Sequence, residues 1–335
     1  MNNNPIIALR TRFVNDHKIP IDLLYDDNMF YYFLDLYEST FKSRTKYDKL
    51  LETVNTKFDG NPQLFLENYH NVREKLITDL SENEFMKEFN SQNTRILDLY
   101  NLPSEANQYP SKSIYNNSND GKIFISFDLV KANFSALMYH NSKIFNSEKP
   151  ISYNEWISRY TDLDYIINSK YTRQVVFGKL NPSRQIKVEK FMIWKALKHF
   201  KDLFEKNQIE AKVVSFNVDE VVFETSLDVI NLWDKILDDI ETIKEQNIPI
   251  KATVFKVVLK RFKTFNDSNI DVYQKIFYRG NKDVWMELKS VPLCFYAQVH
   301  KLINDMPISE YDLTFWTNDQ PAKFIKPLKL VETIK

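Results

Sequence analysis

Glycine is scarce in this chain: four residues in 335. That leaves little material for phosphate loops built on glycine, and neither GxGxxG nor GxxxxGK(S/T) occurs, which argues against nucleotide binding of the Rossmann or P-loop kind. Cysteine is scarcer still. The single Cys294 excludes an internal disulfide and a cysteine-based zinc site, and we expect a reducing, cytoplasmic compartment, which includes the host cytoplasm for a viral protein. Charge of one sign is also lacking, since 45 basic residues balance 45 acidic ones. Any nucleic-acid surface must therefore be a local patch. No run of about 18 apolar residues predicts a membrane span, and the start, MNNNPIIALRTRF, lacks the apolar core of a signal peptide. The five histidines are scattered without metal spacing. No GxSxG element appears.

What is abundant is apolar and aromatic material, 43% and 14% of the chain, enough for a sizeable core. Residues 21 to about 100 read as helical. In NPQLFLENYHNVREKLITDL, Leu64, Tyr69, Val72 and Leu76 fall near helical spacing behind an Asn61-Pro62 start. The stretch 101–121, NLPSEANQYPSKSIYNNSNDG, has the Pro, Ser, Asn and Gly content of a loop or linker. A different pattern follows it. Lys122 to Asp128 predicts a strand, and Ser183 to Asn207 a helix with Ile186, Ile193, Leu197, Phe200 and Phe204 on one stripe. Ala211 to Glu224 predicts two strands meeting near Val218-Asp219. Ser226 to Gln246 predicts an amphipathic helix, and Ile250 to Phe262 a strand. The tail holds further strand-like runs, IDVYQKIFYRG and VWMELKSVPLCFYAQV.

The order strand, helix, hairpin, helix, strand is the split βαβ, or ferredoxin-like, plan. In that plan the first strand and the hairpin are neighbours. Asp128, ending the first strand, then lies close to Asp219 and Glu220 at the hairpin. Acids held on hydrophobic strands suit hard cations such as Mg²⁺, which take one or two carboxylates plus substrate phosphates. Plainer roles also fit: Asp128 as the N-cap of a helix through DLVKANFSALM, and Asp219-Glu220 as turn residues.

FDLVKANFSAL resembles the first palm motif of reverse transcriptases, an aspartate, a leucine and then an Ala-aromatic pair after a gap. NVDEVVFE is similar to the last catalytic motif of family A DNA polymerases, although Val218 stands where that motif carries histidine. FGKLNPSRQ sits where reverse transcriptases carry a Pro-Gln-Gly turn, with Ile186 in place of the glycine. The resemblance covers about residues 122–262. It implies an α+β chain: a helical N-terminal region over 1–110, a palm-type catalytic domain over 122–265, and a C-terminal extension over 266–335.

It further implies a nucleotidyltransferase or polymerase. Asp128 and Asp219 would be ligands of Mg²⁺ or Mn²⁺, Glu220 the accessory acid and Lys256 a proton donor to pyrophosphate. The partners would be nucleic acid and nucleoside triphosphates. A basic cluster between the motifs, Lys170, Arg173, Lys179, Arg184, Lys187 and Lys190, suits phosphate, and Tyr171, Phe177 and Trp194 are candidates for base stacking. The alternative function is a non-catalytic palm-like binding or assembly protein, viral or from a mobile element. KFDG, Lys57 to Gly60, matches the KxDG of nucleotidyl-lysine ligases, but no later lysine motif with glycine accompanies it, and Gly60 reads better as a helix C-cap.

Overall fold

The computed structural model describes residues 4–91, 98–180, 182–279 and 282–331. Asparagine and aspartate start the first helices. Asn4, Asp26, Asn61 and Asn83 each accept a backbone N–H from the first turn that follows, at 2.9–3.1 Å, which satisfies donors the helix itself leaves free. They begin α1 (Pro5–His17), α2 (Asp27–Leu36), α5 (Pro62–Glu82) and α6 (Glu84–Asn90). Between them lie α3 (Glu38–Phe41) and α4 (Ser43–Lys57). Phe58 rather than the expected Gly60 is the C-cap of α4; Asp59 and Gly60 follow it at φ 51° and 71°, and the Gly60 N–H also reaches back to Val54 O. The helix α1 precedes the stretch from residue 21 whose pattern reads as helical, and falls within the helical N-terminal region expected over 1–110.

The first strand, β1 (Ile123–Leu129), is central to an antiparallel sheet. The others are β2 (Lys212–Phe216), β3 (Glu220–Thr225), β4 (Ile250–Lys263), β5 (Asn269–Arg279), β6 (Lys282–Lys289) and β9 (Lys329–Val331). Their order is β2-β3-β1-β4-β5-β6, with β9 added to β4. A separate hairpin joins β7 (Thr314–Thr317) and β8 (Gln320–Lys323). Between β1 and the long helix α11 (Pro182–Lys206) the chain inserts α7 (Ala132–His140), α8 (Tyr153–Ile157), α9 (Asp164–Ile167) and α10 (Lys170–Gly178). Ser226–Gln246 opens with a 3-10 turn and continues as α12 (Trp233–Glu245).

Alternation along β1 sorts its side chains to two faces. Ile125 and Phe127 face the helices, and the Phe127 ring stacks on Phe200 of α11 with centroids 3.6 Å apart. That core is continuous with the N-terminal helices, from Leu9 through Phe127 to Ala297. Phe124 points the other way. It joins Val222, Phe255, Val257, Tyr273 and Phe277 in a second cluster, closed by Ile114.

Ile114 belongs to the stretch expected as a linker. It is loop chain with two 3-10 turns, Ser104–Gln108 and Asn117–Asn119, and it straps the sheet. Phe216 donates its N–H to Pro110 O at 2.7 Å, Ser215 Oγ to Lys112 O at 3.0 Å and Tyr273 Oη to Asn117 Oδ1 at 2.9 Å. Gly121 N–H reaches Val257 O at 2.8 Å.

The end of VWMELKSVPLCFYAQV is helical rather than extended. After β6 the chain turns at Ser290 (φ 62°) and Pro292, and Tyr296–Ile303 forms α13. Tyr296 and His300 stand one helical turn apart and both meet Tyr37 edge-on, so packing decides the conformation. The adjoining segment also closes on the N-terminal region: Tyr32 Oη donates to Asp312 Oδ1 at 2.8 Å, and Trp316 N–H to Asp22 at 3.0 Å. Among the described residues no helix is long and apolar enough to cross a membrane.

Candidate functional site

Register brings the predicted acids together. Asp128, near the end of β1, lies opposite Glu220 on β3 and Lys251 on β4. The Leu129 N–H donates to Asp219 O at 2.8 Å and fastens the hairpin tip to the strand end. The tip is tight, because Asn217 N–H donates to Glu220 O at 2.9 Å. Asp128 is a strand residue rather than a helix cap: Lys131, at φ 53°, occupies the N-cap of α7.

Asp128 and Asp219 line one cavity of about 320 Å³. Lys170, Arg173, Gln174 and Phe177 enter it from α10, Ala132, Asn133 and Phe134 from α7, and Lys251 from β4. Lys251 Nζ stands 2.7 Å from Asp128 Oδ2. Asp219 keeps an exposed edge, yet surrounding protein and then the Asp128 charge push its carboxyl up, while Lys170 and Lys251 oppose that rise. Glu220 sits beside Asp128 on the strapped face. Burial pushes it up most, the Asp128 and Asp219 charges push the same way, and Lys275 and the Ser126 hydroxyl oppose them. Arg173 and Lys131 both lie over the Tyr153 ring, at 5.2 and 4.8 Å.

The other predicted cations lie elsewhere. Lys179 stands 3.9 Å from Glu74, Arg184 donates to the Phe89 carbonyl, and Lys187 donates to Asn101 at 2.7 Å. Lys190 lies over Phe216. Lys256 pairs with Ile123, five residues along β4 from Lys251, roughly 16 Å away at the rise of a strand. Phe177 and Trp194 are buried, and Tyr171 lies under Arg12. Lys57 pairs with Asp162, and His199 with Asp239.

Two groups escaped the sequence reading. Lys251 was visible only as the first of several lysines on β4. Antiparallel pairing makes the first residues of β4 meet the last residues of β1, and that rule alone would have singled it out. Glu189 gave no signal beyond its place on a helix. It is 4% exposed, accepts from Asn133 Nδ2 at 2.9 Å, and has its carboxyl pushed up to about 7 by burial and by Asp219.

Among the described residues no group of three or more His, Cys, Asp or Glu is arranged to hold a metal ion. The pair Asp128 and Asp219 still fits the smaller protein share of a Mg²⁺ site, one or two carboxylates completed by substrate phosphates. Burial first and the Asp128 charge second push the Asp219 carboxyl up, and a cation between the two acids would oppose the second of these. No family model, curated protein or solved structure matches this chain.

Proposed function

We propose that the chain is a metal-dependent nucleotidyltransferase acting on nucleic acid. One observation carries the reading: Asp128 and Asp219, two predicted carboxylate ligands, share a cavity with Lys170, Arg173 and Lys251. Two acids beside three cations in one cavity suit a substrate that brings phosphate together with Mg²⁺ or Mn²⁺. The strand order supports the split βαβ reading, since β2-β3-β1-β4 has β3 inserted between β1 and β2 and antiparallel to both.

In this reading Asp128 and Asp219 hold the cation, and Glu220 adds negative charge beside Asp128. The cation, when bound, lowers the cost of deprotonating a 3′-hydroxyl and neutralises charge on the transferring phosphoryl group. Lys170 and Arg173 orient the triphosphate. Lys251 replaces Lys256 as the candidate proton donor to pyrophosphate, because Lys251 lines the cavity. Its ion pair with Asp128 holds the ammonium at the cavity until substrate enters.

The same ion pair favours a second reading. A lysine 2.7 Å from Asp128 neutralises the acid without metal, and the strap covers much of the sheet face beside Glu220. Both features suit a non-catalytic palm-like binding or assembly protein.

The deciding experiment incubates the protein with primed and unprimed DNA and RNA, all nucleotides, and Mg²⁺ or Mn²⁺. Incorporation that Asp128→Asn and Asp219→Asn abolish supports the enzyme. No incorporation by folded protein under any combination, with melting temperatures indifferent to metal, rejects it in favour of the binding protein.

A further inference from the structure

α10 has two faces with different partners. Lys170, Arg173, Gln174 and Phe177 line the cavity. Ser169, which caps the helix, and Thr172 do not line it and are buried, at 2% and 0% exposure. There they meet hydroxyl and carboxylate groups of the N-terminal helices. Thr172 Oγ1 donates to Tyr69 Oη at 2.7 Å, and Ser169 Oγ lies 3.2 Å from the same oxygen. Tyr69 Oη in turn donates to Asp16 Oδ1 at 3.1 Å. Tyr69 comes from α5, and Asp16, whose side chain is fully buried, from α1. Arg12, one turn before Asp16, stands 3.8 Å from its carboxylate and lies 3.9 Å over the ring of Tyr171, which directly follows the cavity cation Lys170 on α10.

Such a relay is a costly way to join helices. A buried carboxylate and three buried hydroxyls are worth their desolvation only where the geometry is specific. Apolar side chains at these positions would hold the helices together, but they would not fix the rotation of α10 about its axis. Directional bonds at Ser169 and Thr172, three residues apart, do fix it. Rotation is what decides whether Lys170 and Arg173 point into the cavity.

We propose that the Asp16–Tyr69–Thr172/Ser169 relay is a positioning device: the N-terminal helical region sets the angle at which α10 presents Lys170 and Arg173 to an anionic substrate. Tyr69 and Thr172 are then positioning residues that touch no substrate. The anion half of this inference rests on the function proposed above. The half that concerns the angle of α10 stands on the relay alone.

The test pairs two readouts on the full chain. One is calorimetric binding of inorganic tripolyphosphate at a temperature where every variant is folded. The other is hydrogen exchange across residues 170–178 against residues 190–206 of α11 as internal reference. Tyr69→Phe and Thr172→Val each remove part of the relay with little change of shape. Each should weaken tripolyphosphate binding about three- to tenfold, the range one to two hydrogen bonds give, and should speed exchange in α10 and not in α11. Thr172→Ser, which keeps the hydroxyl, should restore both. In an Arg173→Gln background Tyr69→Phe should weaken binding less than it does alone, because the two act through one contact.

Normal α10 exchange in both relay variants overturns the inference, as does unchanged binding in them when Lys170→Gln and Arg173→Gln do weaken it. If the cation variants bind tripolyphosphate like the wild type while Tyr69→Phe still loosens α10, the anion reading of the cavity fails and the relay keeps its positioning role. A uniform loss of melting temperature with neither readout moved reduces the relay to packing, and the inference is lost.

Discussion

Replacing Glu189 with glutamine should flatten the pH dependence of stability. The carboxylate is almost wholly buried against α7, where Asn133 Nδ2 donates to it at 2.9 Å. Burial first, and the Asp219 charge second, raise its pKa from 4.5 to about 7. The sign follows from which state holds the proton. Between those two values the folded chain keeps a proton that the unfolded chain has released, so stability falls as pH rises through the interval and stays low above it. A rise from 4.5 to about 7 corresponds to roughly 3 kcal/mol once both values are passed, with little solvent screening at so buried a site. Glutamine still accepts from Asn133 and never ionises. The variant should therefore match the wild type near pH 4 and exceed it by roughly 2–4 kcal/mol at pH 8. Urea unfolding at fixed ionic strength, with chelator to keep stray cations from the acids, reads the difference. Parallel pH profiles for the two proteins, or a glutamine variant weaker at pH 8, would refute the reasoning.

Three further perturbations probe separate parts of the molecule. Phe127→Ala deletes a fully buried ring stacked on Phe200 at the centre of the sheet, and should cost about 3–5 kcal/mol in chemical denaturation; a loss under about 1 kcal/mol would mean the contact is not formed in solution. Lys251→Gln breaks a half-exposed ion pair and should cost at most about 1 kcal/mol, while strengthening the thermal response to Mg²⁺ because a competing cation is gone; a metal response unchanged or weakened argues that metal binds elsewhere. Ile114→Ala, at a site 7% exposed under the strap, should cost about 2–4 kcal/mol and make the 101–121 stretch the first site of limited proteolysis; cleavage starting elsewhere counts against a strap held by this residue.

Much of the secondary structure was legible because its signals are local. Asn61-Pro62 marks a capped start whatever surrounds it, and the apolar stripe predicts α11 to within a residue, with Ile193 to Phe204 buried and Ile186 exposed. The meeting of Asp128 with Asp219 was legible at one remove, from the order of strands and helices. What stayed hidden depends on contacts distant in sequence. Nothing in NLPSEANQYPSKSIYNNSNDG says that Ile114 will cover Phe124 and Phe255, since a loop composition describes the backbone and not where it lies. The helix at Tyr296 is decided by Tyr37, some 260 residues earlier. The basic cluster misled for a similar reason. Sequence proximity grouped Lys179, Arg184 and Lys187 with Lys170 and Arg173, but a helix faces several directions, and only the last two reach the cavity. Lys256 lies five residues of register from Lys251, the lysine that lines the cavity, an offset that no composition encodes.

The closure of residues 296–316 onto α2 bears on how the protein is made. Phe33 and Tyr37 are almost fully covered, but Tyr37 owes part of its cover to Tyr296 and His300. The carboxylate that accepts from the Tyr32 hydroxyl is that of Asp312, which is also paired with Lys301 at 2.8 Å. A nascent chain leaving the ribosome presents α1 to α6 long before any of these partners exists. Helices that in most proteins would settle as an early folding unit here wait, with an aromatic seam open to water, until most of the remaining chain has been added. Aromatic surface left open in that interval is of the kind chaperones bind, so the yield of folded protein should depend more on translation speed and chaperone supply than its final stability suggests.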